Sequence, residues 1–272
     1  MYVVGTPVGN LQDISLRAIE VLKEVDLIAC EDTRHTQKLL THFNIGTATV
    51  SYHEHNERER AAEILLKLKS GGRVAVVSDA GMPGICDPGY RLVALAVENG
   101  VRVVPVPGAS AVVLALAASG LPTDAFGFGG FLPAKSGQRR ETLERIAGSL
   151  RTEVFYEAPH RVVEALEDLV DVLGGARRVV VARELTKLHE EFLRGPAAEV
   201  LQTFRQRGDV KGEITLLIGK AEAEVIPKIS LRARMEQVMR EESLDEKAAL
   251  KKVAKEFGLA KSEAYRQWQR GK

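Results

Sequence analysis

The stretch SDAGMPGICDPG, from Ser78 to Gly89, decides how the chain is organised. It directly follows the apolar run Arg73–Val77, which is typical of a buried β-strand. Three of its twelve residues are glycine and two are proline. Ordering glycine costs conformational entropy, and proline fixes φ. The stretch therefore predicts a strand-end loop that must follow one particular backbone path.

Two further loops of this kind follow predicted strands. Tyr2–Val4 leads into Gly5–Asn10, and Val101–Val104 leads into Pro105–Ala111. In α/β proteins, ligands bind at the carboxyl ends of the strands. The three loops together predict a ligand site at one sheet edge. The first loop lacks the Gly-x-Gly-x-x-Gly fingerprint, which argues against a dinucleotide-binding oxidoreductase.

The order of the predicted elements indicates an α/β fold. Short β-branched runs alternate with amphipathic helices in the first half, which predicts a parallel sheet with helices on both faces. Proline and glycine punctuate the middle of the chain, and further strand and helix patterns follow. We expect α/β domains at residues 1–115 and 116–220, and a small helical module at residues 221–272.

Composition narrows the class of protein. The chain has 272 residues, of which 45% are hydrophobic and 28% charged, as in folded globular proteins. Its longest apolar stretch, Ala111–Ala118, is shorter than the about 20 residues that a bilayer requires. Two cysteines, Cys30 and Cys86, do not make a disulfide framework. We expect a cytoplasmic protein without a membrane segment.

Seven short motifs give the chain a specific family resemblance. In order they are GTPVGNL (Gly5–Leu11), EDTR (Glu31–Arg34), HEHN (His53–Asn56), SDAGMPG (Ser78–Gly84), SGLPT (Ser119–Thr123), YEAPHR (Tyr156–Arg161) and RELTK (Arg183–Lys187). Together they resemble the ribosomal RNA small subunit methyltransferase I family, within the tetrapyrrole methylase superfamily. The resemblance covers residues 1–220 closely and the tail more loosely.

The resemblance implies a class III methyltransferase fold and a reaction. Two unlike α/β domains, the second with a mixed sheet, would hold S-adenosylmethionine in the cleft between them. The substrate would be the ribose 2′-hydroxyl of a cytidine in the decoding region of 16S ribosomal RNA, within the small ribosomal subunit, and the enzyme would be a homodimer. The implied cofactor contacts are Pro7, Val8, Asp79, Ala80, Gly81, Met82, Ile85, Ser110, Ala111, Tyr156, Glu157 and Leu185.

One departure bears on the substrate. Relatives that act on tetrapyrroles carry Gly-Asp-Pro where this chain has Gly81-Met82-Pro83. This argues against a tetrapyrrole substrate. A methyltransferase of the superfamily with another substrate, and a non-enzymatic RNA-binding protein, remain the alternatives.

Methyl transfer to an alcohol benefits from a group that orients the hydroxyl or takes its proton. Glu31, Asp32 and Lys187 are the catalytic candidates. For Asp32 the competing interpretation is a helix cap paired with Arg34. His53 and His55 lack a third ligand in the sequence, so we expect no metal site.

Basic residues supply candidates for phosphate contacts, which position RNA. They are Arg34, Lys135, Arg139, Arg140 and Arg161, and each is equally consistent with a solvated helix face. We expect Lys135–Arg140 to be a mobile basic loop that binds RNA.

The tail carries its own charge pattern. Residues 225–272 contain 12 basic and 7 acidic residues. A helical pattern, a turn at Gly258 and a second helix capped by Ser262 predict a helix-turn-helix arrangement. The tail is interpreted either as an RNA-binding module or as a plain helical hairpin.

Overall fold

A computed structural model describes residues 1–221, 231–241, 244–257 and 259–269. The chain divides into two compact units, residues 1–221 and 222–272. Within the described residues, no helix combines the length and the apolar character needed to traverse a bilayer.

The first unit begins with a five-stranded parallel sheet. Its strands are β1 (Tyr2–Val4), β2 (Leu27–Cys30), β3 (Thr49–Ser51), β4 (Val74–Val76) and β5 (Val104–Val106). They lie in the order β3-β2-β4-β1-β5, and every neighbouring pair is parallel. The predicted parallel sheet is confirmed.

Helices cover both faces of this sheet. They are α1 (Leu16–Glu24), α2 (Thr33–His42), α3 (Glu57–Lys69) and α4 (Tyr90–Glu98). Alternate strand residues face opposite sides, so Val4 packs with Leu22 of α1, whereas Val76 packs with Ile64 of α3. Burial on both faces explains why the strands are continuous apolar runs.

The last strand of this sheet lies later in the chain than the sequence indicates. We predicted a strand at Val101–Val104, but the strand is Val104–Val106 and contains Pro105. Because β5 is an edge strand, the missing N–H of Pro105 removes no bond from a second neighbour. Position in the sheet thus makes a proline strand possible.

A second five-stranded sheet follows. Its strands are β6 (Phe126–Phe131), β7 (Thr152–Glu157), β8 (Arg178–Arg183), β9 (Glu191–Pro196) and β10 (Ile214–Ile218), in the order β6-β7-β10-β8-β9. The β6–β7 pair is parallel and the other pairs are antiparallel, so this sheet is mixed.

Four helices accompany the second sheet: α5 (Ala111–Ser119), α6 (Ser136–Ile146), α7 (Val162–Leu173) and α8 (Ala197–Arg205). Helix α5 spans the expected boundary at residues 115 and 116, and its Val112 and Leu116 pack with Val180 and Leu217 of this sheet. The division of residues 1–220 at that boundary stays a prediction.

The tail contains three helices: α9 (Leu231–Glu241), α10 (Glu246–Glu256) and α11 (Lys261–Gln269). Met235, Val253 and Trp268 belong to an apolar core that these helices share. The predicted cap at Ser262 is wrong, because α11 already begins at Lys261. The predicted turn at Gly258 lies outside the described residues.

Candidate functional site

The loops that follow β1, β4 and β5 meet at the carboxyl edge of the parallel sheet. The Thr6 amide donates to the Gly81 carbonyl at 2.9 Å, and the Gly81 amide donates back to Thr6 at 3.2 Å. The Gly5 amide donates to the Val106 carbonyl at 3.2 Å. These bonds form because β1 lies between β4 and β5. The predicted convergence of the three loops is confirmed.

Glycine is required where these loops touch. A methyl group at Gly108 would lie 2.6 Å from the Cα of Gly5, so neither position has room for a side chain. Gly81 has a φ of +82°, in the left-handed region that glycine adopts most readily. Glycine at these positions therefore allows the loops to pack directly against each other at this edge.

A cavity of about 340 Å³ lies between these loops and the second sheet. Most of the residues that the family resemblance implied as cofactor contacts line it: Val8, Ala80, Gly81, Met82, Ile85, Ser110, Ala111, Tyr156, Glu157 and Leu185. Pro7 and Asp79 are not among the lining residues. Asp79 instead accepts a hydrogen bond from the Asp32 amide at 3.2 Å.

Other lining residues were not anticipated. They are Cys86, Asp87, Phe131, Ala158, Pro159, Glu213, Ile214 and Thr215. Cys86 and Asp87 lie within the loop that the sequence singled out, so the loop itself was the available signal. The lining residues on β6 and β10 gave no signal in the sequence, since their position at the cavity depends on how the two sheets pack.

Tyr156 and Phe131 line the cavity, and the Tyr156 ring also packs against Phe128. The Tyr156 ring lies 5.0 Å from that of Phe128 and 5.4 Å from that of Phe131, centroid to centroid. Residues three apart on a regular strand face opposite sides. The β6–β7 register shifts between Phe128 and Phe131, where Gly130 has a φ of +70°, so both rings reach Tyr156.

Glu157 brings a buried carboxylate to the cavity. Its Oε1 accepts from the Ala158 amide at 2.7 Å and from Arg161 Nε at 3.1 Å. Its Oε2 is buried and has no hydrogen-bond partner among the described residues. A buried polar atom of this kind is costly unless something donates to it. This oxygen fits a ligand that carries an N–H or O–H donor.

Asp32 is held by α2 and by Arg34. Its Oδ1 accepts from the Arg34 amide at 2.8 Å, and its Oδ2 accepts from Arg34 Nη2 at 2.8 Å. The hydrogen bonds from the Arg34 side chain and amide lower the pKa of Asp32 to about 2. The capping interpretation describes Asp32 correctly, and so acidic a carboxyl is a weak proton acceptor.

The other two catalytic candidates, Glu31 and Lys187, both have a raised pKa, for different reasons. Burial, followed by the negative charge of Asp79, raises the pKa of Glu31. Partial burial opposes the charge of Lys187, but hydrogen bonds to Glu184 at 2.8 Å and Glu213 at 3.0 Å outweigh it and raise the pKa of the ammonium. Lys187 therefore stays protonated, which does not support a role as proton acceptor.

The predicted basic loop at Lys135–Arg140 is wrong. Residues from Ser136 onward form α6, and only Lys135 precedes the helix. Arg139 is 1% exposed and donates to Asp168 inside the protein, so it is inaccessible to RNA. Burial of its charge is possible because Asp168 neutralises it.

The remaining arginine candidates each have an acidic partner. Arg140 pairs with Asp168 and Asp171, Arg161 pairs with Glu157, and Arg34 pairs with Asp32. The Arg34 side chain is 89% exposed and remains accessible to a phosphate. In the described part of the chain, no group of three His, Cys, Asp or Glu side chains is arranged to hold a metal ion.

Comparison with known proteins places the chain in a family. Residues 1–201 match the family model described as Tetrapyrrole (Corrin/Porphyrin) Methylases. A protein of Halalkalibacterium halodurans named Ribosomal RNA small subunit methyltransferase I is 46% identical over 270 residues, which cover 97% of this chain and 93% of the relative. The chain belongs to the ribosomal RNA small subunit methyltransferase I family. A relative of the same name from Escherichia coli O157:H7 is 47% identical over 269 residues, covering 98% of this chain and 93% of the relative. The chain is thus a methyltransferase, and the resemblance found in its sequence is confirmed.

Solved structures agree with the fold. Diphthine synthase aligns with a TM-score of 0.63 at 16% identity, over 80% of this chain and 88% of that chain. Uroporphyrin-III C-methyltransferase from Thermus thermophilus, complexed with S-adenosylhomocysteine, aligns with a TM-score of 0.56 at 20% identity, over 80% of this chain and 96% of that chain. The predicted fold class, α/β of the tetrapyrrole methylase type with C-terminal helices, is confirmed.

Proposed function

We propose that this protein transfers the methyl group of S-adenosylmethionine to the ribose 2′-hydroxyl of a cytidine in 16S ribosomal RNA. The observation that carries the proposal is the cavity at the carboxyl edge of the parallel sheet. The relatives that this chain matches over 93% of their length are named as methyltransferases of small-subunit ribosomal RNA. The 2′-hydroxyl as the methylated group and cytidine as the methylated nucleoside are what the family resemblance of the motifs implies.

The cavity residues fit the proposed cofactor. When bound, S-adenosylmethionine supplies an electrophilic methyl group on a positively charged sulfur. Gly81 and Ala111 offer backbone at close range, and Met82, Ile85 and Leu185 offer apolar contact. Glu157 Oε2 would accept a hydrogen bond from an amino group of the ligand. The carboxylates of Glu157 and Glu213 favour a cation over an anion in the cavity.

Positioning is the main contribution that we assign to the protein. Holding two reactants in line can lower a barrier by ~7–11 kcal/mol. Lys135 and Arg34, both exposed, would contact phosphates without reading sequence. Arg140 and Arg161 would do so while keeping their acidic partners.

The cellular setting is part of the proposal. We infer that the substrate is 16S ribosomal RNA within the small ribosomal subunit, and that the enzyme acts in the cytoplasm as a homodimer. The relatives named for the small subunit support the RNA substrate.

A methylation assay tests the proposal directly. The protein is incubated with S-adenosylmethionine and either free 16S ribosomal RNA or purified small subunits, and methylated riboses are mapped by their resistance to alkaline hydrolysis. We expect one cytidine in the decoding region to become resistant. Calorimetry should show binding of S-adenosylmethionine and S-adenosylhomocysteine but not of nicotinamide nucleotides. Cofactor binding without methylation of either RNA would assign the enzyme another substrate.

A further inference from the structure

Three carboxylates line the cavity, and they differ in what holds them. Glu157 is engaged by Arg161 and by a backbone amide. Glu213 is paired with Lys187 at 3.0 Å. Among the described residues, no cation lies within ion-pair distance of Asp87. Asp87 is therefore the cavity carboxylate that no cation holds in its ionised form.

We propose that Asp87 is the general base of the reaction, taking the proton of the ribose 2′-hydroxyl during methyl transfer. The inference rests on the proposed function and names the group that performs its proton transfer. The ribose oxygen forms a bond to the methyl carbon, the electron pair of the broken carbon–sulfur bond stays on sulfur, and the hydroxyl proton moves to an Asp87 carboxylate oxygen. Charge balances without a further reactant.

The backbone beside Asp87 has an unusual conformation of the kind found at active sites. Cys86 has a φ of +63°, a conformation that non-glycine residues rarely adopt. Glu184 and Thr186, on either side of the lining residue Leu185, also have positive φ, at +53° and +64°. Strained residues of this kind cluster at active sites. Three of the four described non-glycine residues with positive φ thus lie at or beside this cavity.

The surroundings of Asp87 suit a base that works near neutral pH. Burial, followed by the negative charge of Glu31, raises the pKa of Asp87 to about 6, while the Ser78 hydroxyl opposes the rise and Asp79 adds to it. A base is most effective when its pKa lies near the working pH. The titratable groups that face it are Glu31 and Asp79 from the first sheet, Cys86 from its own loop, and Tyr156, Glu157 and Glu213 from the second sheet.

The arrangement gives Glu31 a different role from that of a base. The negative charge of Glu31 contributes to the raised pKa of Asp87, so we expect Glu31 to tune the proton affinity of Asp87 rather than to take the proton itself. Removing its charge should lower the pKa of Asp87. A purely structural role for Glu31 would leave that pKa unchanged.

The test compares Asp87→Asn with Asp124→Asn, an exposed aspartate outside the cavity. Single-turnover methylation by Asp87→Asn should fall by ~10²–10⁴-fold, with S-adenosylmethionine affinity within about twofold of wild type. Asp124→Asn should match wild type. A rate within about threefold of wild type, or loss of cofactor binding along with the rate, would overturn the assignment of Asp87 as base.

Titration provides a readout without turnover. In ligand-free protein labelled at aspartate carboxyl carbons, the Asp87 signal should titrate near pH 6, and the Glu31→Gln variant should titrate at lower pH. The acid limb of the wild-type rate profile should follow the same shift. A signal that titrates near pH 4, as an ordinary aspartate does, would contradict the proposal. Wild-type protein that binds the cofactor yet methylates no ribosomal RNA would instead refute the proposed function, while the titration still decides the state of Asp87.

Discussion

Arg139 Nε donates a hydrogen bond of 2.7 Å to Asp168 Oδ2, and both side chains are buried. The pair joins α6 to α7. Ser136 Oγ donates to the same carboxylate at 2.9 Å, and Arg140 Nη1 donates to it at 3.2 Å. Asp168 therefore holds the start of α6 against α7. Arg139 and Arg140, which the sequence predicted to bind RNA, both take part in this helix–helix contact.

Loss of the Asp168 charge should destabilise the protein. Asp168→Asn would leave the buried guanidinium of Arg139 with only the more distant and largely exposed carboxylate of Glu164, at 3.8 Å, as its counterion. Breaking a buried pair typically costs ~3–5 kcal/mol. Asp171→Asn is the matched control, because Asp171 pairs with Arg140 at the surface and should contribute at most ~1 kcal/mol. Urea denaturation measures both. Equal losses in the two variants would contradict the central role of Asp168.

The same carboxylate should make stability depend on acid. Burial opposes its ionisation, but hydrogen bonds from Arg139, Ser136 and Arg140 outweigh burial and lower the pKa of Asp168. The unfolded chain, with an aspartate pKa of ~3.9, then binds the proton more tightly than the folded protein. The stabilising contribution is thus complete above that value and declines as the pH falls toward the lower folded pKa. Asp168→Asn should show a shallower loss of unfolding free energy between about pH 5 and 3, measured in urea at each pH.

Gly81 provides a test of where the cofactor binds. Gly81→Val would place a branched side chain in the cavity, whereas Gly100→Val would impose a similar backbone strain away from it, since Gly81 has a φ of +82° and Gly100 of +72°. We expect both variants to lose some stability and only Gly81→Val to lose S-adenosylmethionine binding in calorimetry. Equal affinity in both variants would place the cofactor elsewhere.

Elements buried on both faces were predictable from the sequence. Strands β1, β2 and β4 lie in the middle of the parallel sheet, and their β-branched runs mark them directly. Strand β9 has no such pattern in the sequence, because Glu191, Arg194, Gly195 and Pro196 interrupt any apolar run at its edge position. Edge strands pair on one side only, so their sequences are less constrained.

The site divided along the same line. The glycine-rich loops on the parallel-sheet side of the cavity were predictable from the sequence, because the need for glycine in a loop depends on the local backbone path. Phe131 and Glu213 reach the cavity only through the packing of β6 and β10, which no local pattern records. Arg139 shows the converse: a charge that a sequence places at the surface becomes internal when Asp168, 29 residues away, neutralises it.

The excess of basic residues in the tail predicts that this part of the chain binds RNA. Lys251, Lys261 and Arg266 are exposed on α10 and α11, whereas Glu241, at the end of α9, and Asp245, just before α10, carry negative charges that would repel phosphate. If the tail grips RNA, the contact comes from the basic positions. Because the cavity-lining residues all lie before residue 222, deletion of residues 222–272 should leave S-adenosylmethionine affinity intact.

Salt dependence separates RNA binding by the tail from a packing role. Each lost phosphate contact lowers the slope of log affinity against log salt by ~0.9 on duplex and ~0.7 on single strands, so replacing Lys251, Lys261 and Arg266 by glutamine should lower it by about 2–3. The control replaces Lys23, Lys38 and Lys69, which are exposed in the first unit, and removes the same charge. Fluorescence anisotropy with an RNA fragment at several salt concentrations measures the slope. We expect the tail variant to bind less tightly and with a flatter slope than the control. If both variants keep the wild-type slope and the truncated chain only melts at a lower temperature, the three helices serve stability and the RNA contacts lie within residues 1–221.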